Sequence, residues 1–373
     1  MQNMDGDPIS WATAERVARR INGREPFSSS YLLASFEDDL LRLTEEAESL
    51  VEVETGLNSS AGHARVKVAN RDEWVGANLV AMRRLLRPLT ERLGSHANGL
   101  RVASVGRTVT GGQLGLILGW ASTRVLGQYD FLLPEDEHPE KHDIIYYVAP
   151  NVIALEKRFA FPPEQFRLWL ALHECTHRAQ FTGVPWLTQY FQQEVANLMA
   201  AVDADPQRLA RALKSAAEHI RRSQSDKGDP STEENLVPGG GLLAAFASPE
   251  QRESLTRIQG LMALLEGHGE VTMARAGADR IPEAERFHRV LHERRNKGGL
   301  GRVLQKLLGM DAKMRQYEEG ARFIREVESQ VGSELFRRVW DGPENLPTYD
   351  EIRDPTSWIG RLQTERPGVA PSG

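Results

Sequence analysis

The sequence predicts a mainly α-helical protein with a few short strands. Most segments of the 373-residue chain have apolar residues recurring every three to four positions, as on one face of an α-helix. Strand-like patterns, by contrast, are few and short. Apolar residues make up 40% of the chain and charged residues 26%, which is typical of a globular protein with ample material for a core.

Four helices are predicted in the first third of the chain. Apolar spacing close to 3.6 residues marks three of them. A run rich in Gly, Ala and Ser marks the fourth, because small residues let a neighbouring helix approach closely. Ser10 is a suitable N-cap for the first helix, and Pro88 is expected to kink or end the third. The predicted helices cover residues 10–21, 31–51, 72–93 and 103–124.

Two short strands are predicted. Residues from His63 to Val68 alternate between polar and apolar side chains. The residues from Ile144 to Val148 form an apolar run of β-branched and aromatic residues, ended by Pro150. One or two short strands within a helical protein is therefore the simplest interpretation.

The composition narrows the classes of function and the compartment. The formal net charge of −6 excludes a generally basic nucleic-acid binder. A single cysteine, Cys175, excludes an intramolecular disulfide and a zinc site built from cysteines alone. The first residues, MQNMDGDPIS, lack the basic and apolar segments of a secretory signal, so none is expected, and no apolar run reaches membrane-spanning length. We therefore expect a cytoplasmic protein with no nucleic-acid or membrane partner.

One domain is expected to span residues 1–373. Its predicted parts are an N-terminal helical part, a motif-bearing part, a flexible loop and a C-terminal helical part, which cover residues 8–125, 126–222, 223–249 and 250–360. The loop is predicted from its Pro, Gly and acidic residues, which separate two helical blocks.

The strongest functional signal is the motif H-E-x-x-H, formed by His173, Glu174 and His177. Its flanking residues favour a helix, on which positions i and i+4 lie on one face, so both imidazoles can reach the same ion. Zinc accepts neutral imidazole nitrogen as a ligand. Glu174 then lies where a metal-bound water can sit, and it is the natural general base.

A catalytic zinc needs a third protein ligand and an open coordination position. A metzincin continuation is excluded, because Gln180 and Gly183 stand where that pattern has Gly and His. Glu194, in a following helical segment, is at a suitable sequence distance for a thermolysin-like third ligand. The other source of a ligand is the block of residues 261–273.

Within that block, Glu266 and Glu270 are four residues apart and share one face of a helix. His268 lies about 200° round the helix from Glu266, so these two cannot easily bind one ion. Carboxylates in an apolar stretch are costly unless they are paired or bound to a metal. We favour Glu266 as the third ligand, over Glu194, His268 or Glu270. Glu270 is then expected to accept a hydrogen bond from a ligand imidazole.

Weaker candidates lie elsewhere. The segment 124–130 carries a polar cluster that either lines a pocket or forms an ordinary turn, and Tyr129 or His268 is expected to donate a hydrogen bond to the oxyanion. Cys175 is expected to pack in the core. His288 and His292 are also four residues apart, but they lie on a basic segment and are interpreted as solvated.

Several long blocks resemble one protein family along nearly the whole chain. They are LGQYDFLLP (126–134), YYVAPNVIALEKRF (146–159), FRLWLALHECTHRAQFTGVPWL (166–187), LMALLEGHGEVTM (261–273) and LLGMDAKMRQYEEGARFI (307–324). The family comprises actinobacterial and related proteins described as zincin-like metallopeptidases, hydrolases or coenzyme F420 biosynthesis-associated proteins. The resemblance implies a helical zincin-like fold and a metal-dependent hydrolase. It also implies His173 and His177 as ligands, Glu174 as base, and a third ligand from the EGHGE block.

The resulting hypothesis is a zinc-dependent hydrolase that cleaves an amide bond in a peptide or a small amide. Two alternatives are kept. One is a catalytically inactive zincin scaffold that serves as a binding or assembly module, and the other is a small-molecule hydrolase linked to cofactor F420 metabolism. If the predicted strand from Ile144 to Val148 runs exposed beside the motif, the peptidase hypothesis gains, because substrate peptides often pair with an edge strand.

Overall fold

The computed structural model describes residues 7, 9–23, 25–27, 33, 35–87, 90, 102–130, 143–200, 249–296 and 310–364. These ranges are mainly helical and contain one small sheet, which confirms the predicted fold class. The helices are α1 (Trp11–Asn22), α2 (Phe36–Thr55), α3 (Arg71–Leu85), α4 (Val102–Ser122), α5 (Ala149–Phe159), α6 (Pro163–Gly183), α7 (Leu187–Ala200), α8 (Pro249–Ala276), α9 (Ala284–Asn296), α10 (Met310–Val331), α11 (Ser333–Arg337), α12 (Tyr349–Arg353) and α13 (Pro355–Thr364). The strands are β1 (Arg65–Ala69), β2 (Gly127–Tyr129) and β3 (Ile144–Val148).

The chain divides into two compact units. The first comprises Met1–Pro185 and Thr272–Asn296, and the second comprises Trp186–Val271 and Lys297–Gly373. Helix α8 therefore belongs to the second unit up to residue 271 and to the first from residue 272. The expected single domain stays a prediction, and residues 223–248 of its loop lie outside the described ranges.

The sheet of the first unit has the strand order β1-β3-β2. Strand β3 is parallel to β1, with Arg65 opposite Ile144, and antiparallel to β2, with Tyr129 opposite Ile145. Four of the five residues of β3 are buried. The condition that would have favoured a peptidase is therefore not met, because β3 is the central strand of this sheet and offers no free edge to a peptide.

Helices α1 and α4 pack closely in the first unit. Ser10 caps α1 as predicted, since its hydroxyl accepts a hydrogen bond from the main-chain N–H of Thr13. Three glycines of α4 lie against the main chain of α1 or the residue before it, where a Cβ would collide with Ser10, Ala14 and Ala18; they are Gly111, Gly115 and Gly119. The small residues of the predicted fourth helix therefore allow the close approach expected of them.

Helix α6 is the motif-bearing helix, and it is largely buried. Its N-terminal half packs in an aromatic cluster, in which Phe166 lies 5.2 Å from Phe287 and 4.9 Å from Phe161 between ring centroids. Buried Arg167 binds both oxygens of Glu156 on α5 and also contacts Asp39 on α2. The motif is thus carried on a helix that several neighbouring elements hold in place.

In the second unit, α8 and α10 cross at a pair of glycines. A Cβ on Gly267 would collide with Gly320, and a Cβ on Gly320 would collide with the carbonyl oxygen of Ala263. This crossing accounts for the glycine that follows Glu266 in the EGHGE block. Further along, Trp358 is fully buried and donates its indole N–H to the carbonyl of Asn345 at 2.9 Å.

The predicted elements differ from the observed ones mainly at their ends. The strand expected from His63 is observed from Arg65, and the helix expected from residue 31 is observed from Phe36. Strand β2 is an addition to the prediction, which assigns residues 124–130 to the lining of a pocket or to a turn. Pro88 lies outside the described residues. None of the helices in the described ranges combines the length and apolar content needed to cross a membrane.

Candidate active site

The two motif histidines lie next to each other on α6, as their spacing predicts. Their ring centroids are 4.6 Å apart and the rings are nearly perpendicular. Both side chains are half-buried, so each imidazole is partly screened from water but remains accessible. An uninterrupted helix from Pro163 to Gly183 fixes this arrangement through its i, i+4 geometry.

Each motif imidazole has a neutral partner at its Nδ1 atom. Nδ1 of His177 is 3.0 Å from Oε1 of Gln180, one turn later on α6. Nδ1 of His173 is 3.3 Å from Sδ of Met273, which belongs to the same unit. If Nδ1–H donates in both contacts, the lone pair of each ring resides on Nε2, the arrangement that a metal-binding histidine needs.

Glu174 is buried, with 4% of its surface exposed, and it is held by strand β2. The main-chain N–H of Tyr129 donates to its Oε2 atom at 2.9 Å. Its Oε1 atom lies only 2.6 Å from the position that a Cβ on Gly127 would occupy. The carboxylate therefore has one oxygen bonded to the strand and the other packed where the strand has no side chain.

The edge of β2 that faces Glu174 is the one that β3 leaves open. Leu126 accepts from the N–H of Val148, and Asp130 donates to the carbonyl of Ile144, so these residues face β3. Along an antiparallel strand, the main-chain N–H and C=O groups of successive residues point alternately toward the partner strand and away from it. The groups of Gly127 and Tyr129 therefore point away from β3. Within the described residues, β2 pairs with β3 alone.

The Tyr129 side chain is buried beside Asp143. Burial and then the Asp143 carboxylate raise the pKa of its hydroxyl well above the usual value. Two other residues of the polar cluster have different partners. Gln128 bonds to Asn78, and Arg124 stacks on Trp120. The predicted oxyanion-donating role of Tyr129 stays a prediction.

Cys175 and the second histidine pair behave as expected where they are described. Burial raises the pKa of the Cys175 thiol well above its usual value, and its Sγ lies 3.7 Å from the carbonyl of Thr44. The thiol is therefore a packing group. His288 is exposed on α9, whereas the side chain of His292 lies outside the described residues.

The remaining candidates lie in the second unit. Glu266 is buried on α8, with 6% of its surface exposed. Glu194 forms an ion pair with Arg257 at 3.0 Å, and Glu270 forms one with Arg325 at 3.2 Å. His268 is also buried, and its ring packs against Trp340 and Phe336, with centroid distances of 5.2 and 6.2 Å.

Residues that sequence reasoning missed complete the surroundings of the motif; they are Gly127, Asp143, Arg178, Gln180 and Met273. Gln180 could have been found, because a residue three positions after His177 lies on the neighbouring turn. The others owe their roles to contacts between distant parts of the chain, for which the sequence carries no local signal.

Comparison with known proteins identifies one family and one similar structure. The sequence model of a family described as zincin-like metallopeptidase matches residues 9–359. A crystal structure from Chloroflexus aurantiacus, described as that of a "putative hydrolase with a novel fold", superposes with a TM-score of 0.68 at 28% sequence identity. The match covers 96% of this chain and 100% of that one. A search of curated proteins finds no match.

Proposed function

Because the chain belongs to the zincin-like metallopeptidase family, we propose that it is a zinc-dependent hydrolase that cleaves an amide bond. One observation carries the proposal. Two adjacent imidazoles have their Nδ1 atoms engaged by Gln180 and Met273, and the next residue after the first histidine is a buried glutamate. Two imidazole nitrogens beside a carboxylate form a donor set that suits zinc and a metal-bound water.

Local charge also fits a cation at this place. Arg178, the residue after His177, is bound by the carboxylates of Asp143 and Glu48. Counted with Glu174 on the same helix, these are three carboxylates against one guanidinium beside the histidines in the sequence. A bound dication would offset this negative surplus, because opposite charges stabilise each other strongly where water is partly excluded.

We propose Glu266 as the third ligand on the basis of its place in α8. Met273, whose sulfur contacts His173, follows Glu266 by seven residues on the same uninterrupted helix. Seven residues make about two turns with an offset of only about 20°, so the two side chains share a face. Glu266 is buried, and a buried carboxylate on that face is a suitable metal ligand.

The alternative third ligands have other surroundings. Glu194 is paired with Arg257, and Glu270 is paired with Arg325. His268 lies about 200° round α8 from Glu266, and its ring packs against aromatic side chains. The predicted roles of Glu270 as hydrogen-bond acceptor and of His268 as oxyanion donor stay predictions.

The proposed reaction uses the two oxygens of Glu174 differently. When bound, zinc would lower the pKa of a coordinated water to about 7 and polarise the scissile carbonyl. Oε2 stays bonded to the N–H of Tyr129, which fixes the carboxylate. Oε1 then takes a proton from the attacking water and passes it to the leaving amine.

A short amide suits this site better than a long peptide. Strand β2 has only three residues, and its outward-facing Tyr129 N–H already bonds to Glu174. Extended peptides usually bind an edge strand through a series of free main-chain groups. We therefore propose a short peptide or a small amide as substrate. A task in coenzyme F420 metabolism would be one such role, and it stays a prediction.

One observation favours a second candidate, a catalytically inactive scaffold. The bond between Glu174 and Tyr129 ties the motif helix to the sheet, which a protein that only binds partners would also need. In that case Glu174 is a structural acceptor, and its negative charge has no catalytic use.

The test is zinc content and turnover of matched variants. Protein purified without chelator is measured by elemental mass spectrometry, and we expect about one zinc per chain in the wild type. H173A, H177A and E266A should lose the zinc, whereas H288A, which removes an exposed histidine of α9, should keep it. E174Q should keep the zinc and lose turnover in a screen of short amides.

Each outcome separates the candidates. A wild type that binds no zinc even when zinc is supplied contradicts the hydrolase proposal and favours the inactive scaffold. Loss of zinc in H173A and H177A but not in E266A retains the site and rejects Glu266. Full turnover in E174Q contradicts the role of Glu174 as general base.

A further inference from the structure

Glu174 and Arg178 are four residues apart on α6 and therefore share a face of the helix. The two histidines occupy the neighbouring face with the same spacing. Glu174 receives the main-chain N–H of Tyr129. Arg178 reaches the same part of the sheet through Asp143, the residue immediately before β3.

Arg178 is buried, with 2% of its surface exposed, and its donors are used in a specific way. Nε and Nη2 bind the two oxygens of Asp143 at 2.7 and 2.6 Å. Nη1 binds the carboxylate of Glu48, and Nη2 also donates to the carbonyl of Gly62 at 2.7 Å. This set of contacts uses several N–H groups of one planar guanidinium, and the single ammonium of a lysine cannot reproduce it.

Asp143 is fixed in a conformation that few non-glycine residues adopt. Its φ angle is 57°, in the left-handed region, and its neighbour Ile144 accepts the N–H of Asp130 at 3.0 Å. The following residue of β3, Ile145, lies opposite Tyr129 of β2. Tyr129 therefore lies between Glu174, which accepts its main-chain N–H, and the first residues of β3, which follow Asp143.

We infer that Arg178 is a positioning residue for Glu174. It binds Asp143, which fixes the start of β3, and the pairing of β3 with β2 positions Tyr129. The Tyr129 N–H in turn fixes Oε2 of Glu174 on the helix that carries Arg178. The contacts form a closed circuit that begins and ends on α6. The catalytic consequence rests on the proposed function, in which Glu174 is the general base, whereas the positioning itself does not.

The same helix supplies a matched control. Arg167 is also buried, binds both oxygens of Glu156 at 2.8 and 2.9 Å, and binds Asp39 at 2.6 Å. It lies eleven residues before Arg178, about 16 Å along the helix. Its partners belong to α5 and α2 rather than to the β2–β3 pair, so R167K disturbs a similar ion pair without touching the circuit.

The experiment reads the Tyr129 amide directly. The chain has 7 tyrosines, so selective labelling with ¹⁵N-tyrosine gives a sparse amide spectrum, and the loss of one peak in Y129F assigns Tyr129. We expect the Tyr129 peak to move in E174A, because its acceptor is gone. R178K should move it in the same direction, whereas R167K should leave it in the wild-type position.

The spectra are recorded on metal-free protein, so they do not depend on activity. If R178K leaves the Tyr129 peak in place while lowering stability as R167K does, Arg178 is only a cross-link and the inference is wrong. An unmoved peak in E174A also overturns it. If R178K does not fold, D143N tests the same circuit, and an unmoved peak in D143N rejects it.

Turnover separates this inference from the proposed function. With an active wild type, R178K should lower kcat roughly tenfold to a hundredfold with little change in KM, because a displaced base affects the chemical step. R167K should leave kcat unchanged. A protein without zinc or turnover whose Tyr129 peak still responds to R178K would contradict the hydrolase and retain the positioning.

Discussion

Replacing Gly127 with alanine should displace the proposed general base without changing any residue of the motif. An added Cβ would lie 2.6 Å from Oε1 of Glu174 and 2.9 Å from its Cγ and Cδ atoms. Ordinary contact requires about 3.4 Å, so the carboxylate must retreat by about 0.8 Å. The helix backbone limits any retreat by the Cγ atom, so the movement falls mainly on the carboxylate.

The displacement is large enough to break the bond to Tyr129. The N–H to Oε2 distance is 2.9 Å, and lengthening it by about 0.8 Å leaves no useful hydrogen bond. A hydrogen bond to a charged group contributes about 1.5–3 kcal/mol. Alanine also lowers the conformational entropy of the unfolded chain, which raises the free energy of unfolding by about 0.4–1 kcal/mol. We therefore expect G127A to lower the free energy of unfolding by about 1–2 kcal/mol.

The assay is urea unfolding of G127A in two backgrounds. In the wild type the substitution should destabilise. In E174A the collision partner is absent, so the same substitution should be neutral or stabilising. G76A is the matched control, because a Cβ on Gly76 of α3 meets no atom within 4 Å and should stabilise in both backgrounds. If G127A changes the free energy of unfolding by the same amount in the wild type and in E174A, the reasoning is wrong.

Two further predictions concern the second unit. G320A should destabilise by about 1–3 kcal/mol, because its Cβ would collide with the carbonyl oxygen of Ala263 and separate α8 from α10; thermal unfolding measures the loss. For Glu351, burial raises the pKa, but hydrogen bonds from Arg361 and Thr348 outweigh burial and lower it overall. The stability that this carboxylate adds is present above its unfolded pKa of about 4.3 and is lost as pH falls through its lower folded pKa. E351Q should therefore destabilise at pH 7 by about 1–3 kcal/mol and progressively less below about pH 4, as measured by urea unfolding across that range.

The parts of the fold that the sequence predicts are those governed by local rules. Helix α1 begins after a serine whose hydroxyl caps it, and the glycines of α4 were recognised as a surface for close packing. Strand β3 has the predicted bounds because five consecutive β-branched or aromatic residues precede a proline. Strand β2 was missed, since three residues are too short to display an alternating pattern.

The candidate site divides in the same way. The histidine pair and Glu174 follow from spacing on one helix, which is a local property. The partner of Glu174 lies 45 residues earlier in the chain, and the two carboxylates that bind Arg178 lie 35 and 130 residues earlier. Nothing in the immediate sequence of Gly127 or Asp143 indicates these contacts, because they depend on how the sheet meets α6.

The bond between Glu174 and Tyr129 is compatible with both the hydrolase and the scaffold, but the two require different properties of residue 174. A structural acceptor needs only an oxygen, and glutamine supplies one with nearly the same shape. A general base needs an ionisable oxygen beyond the one that Tyr129 occupies, and glutamine has none. E174Q therefore separates the two requirements at one position. If the variant keeps the fold, the zinc and the Tyr129 bond but loses turnover, residue 174 acts through its charge. If the wild type has no turnover and E174Q keeps the fold and the Tyr129 bond, residue 174 acts through its shape alone.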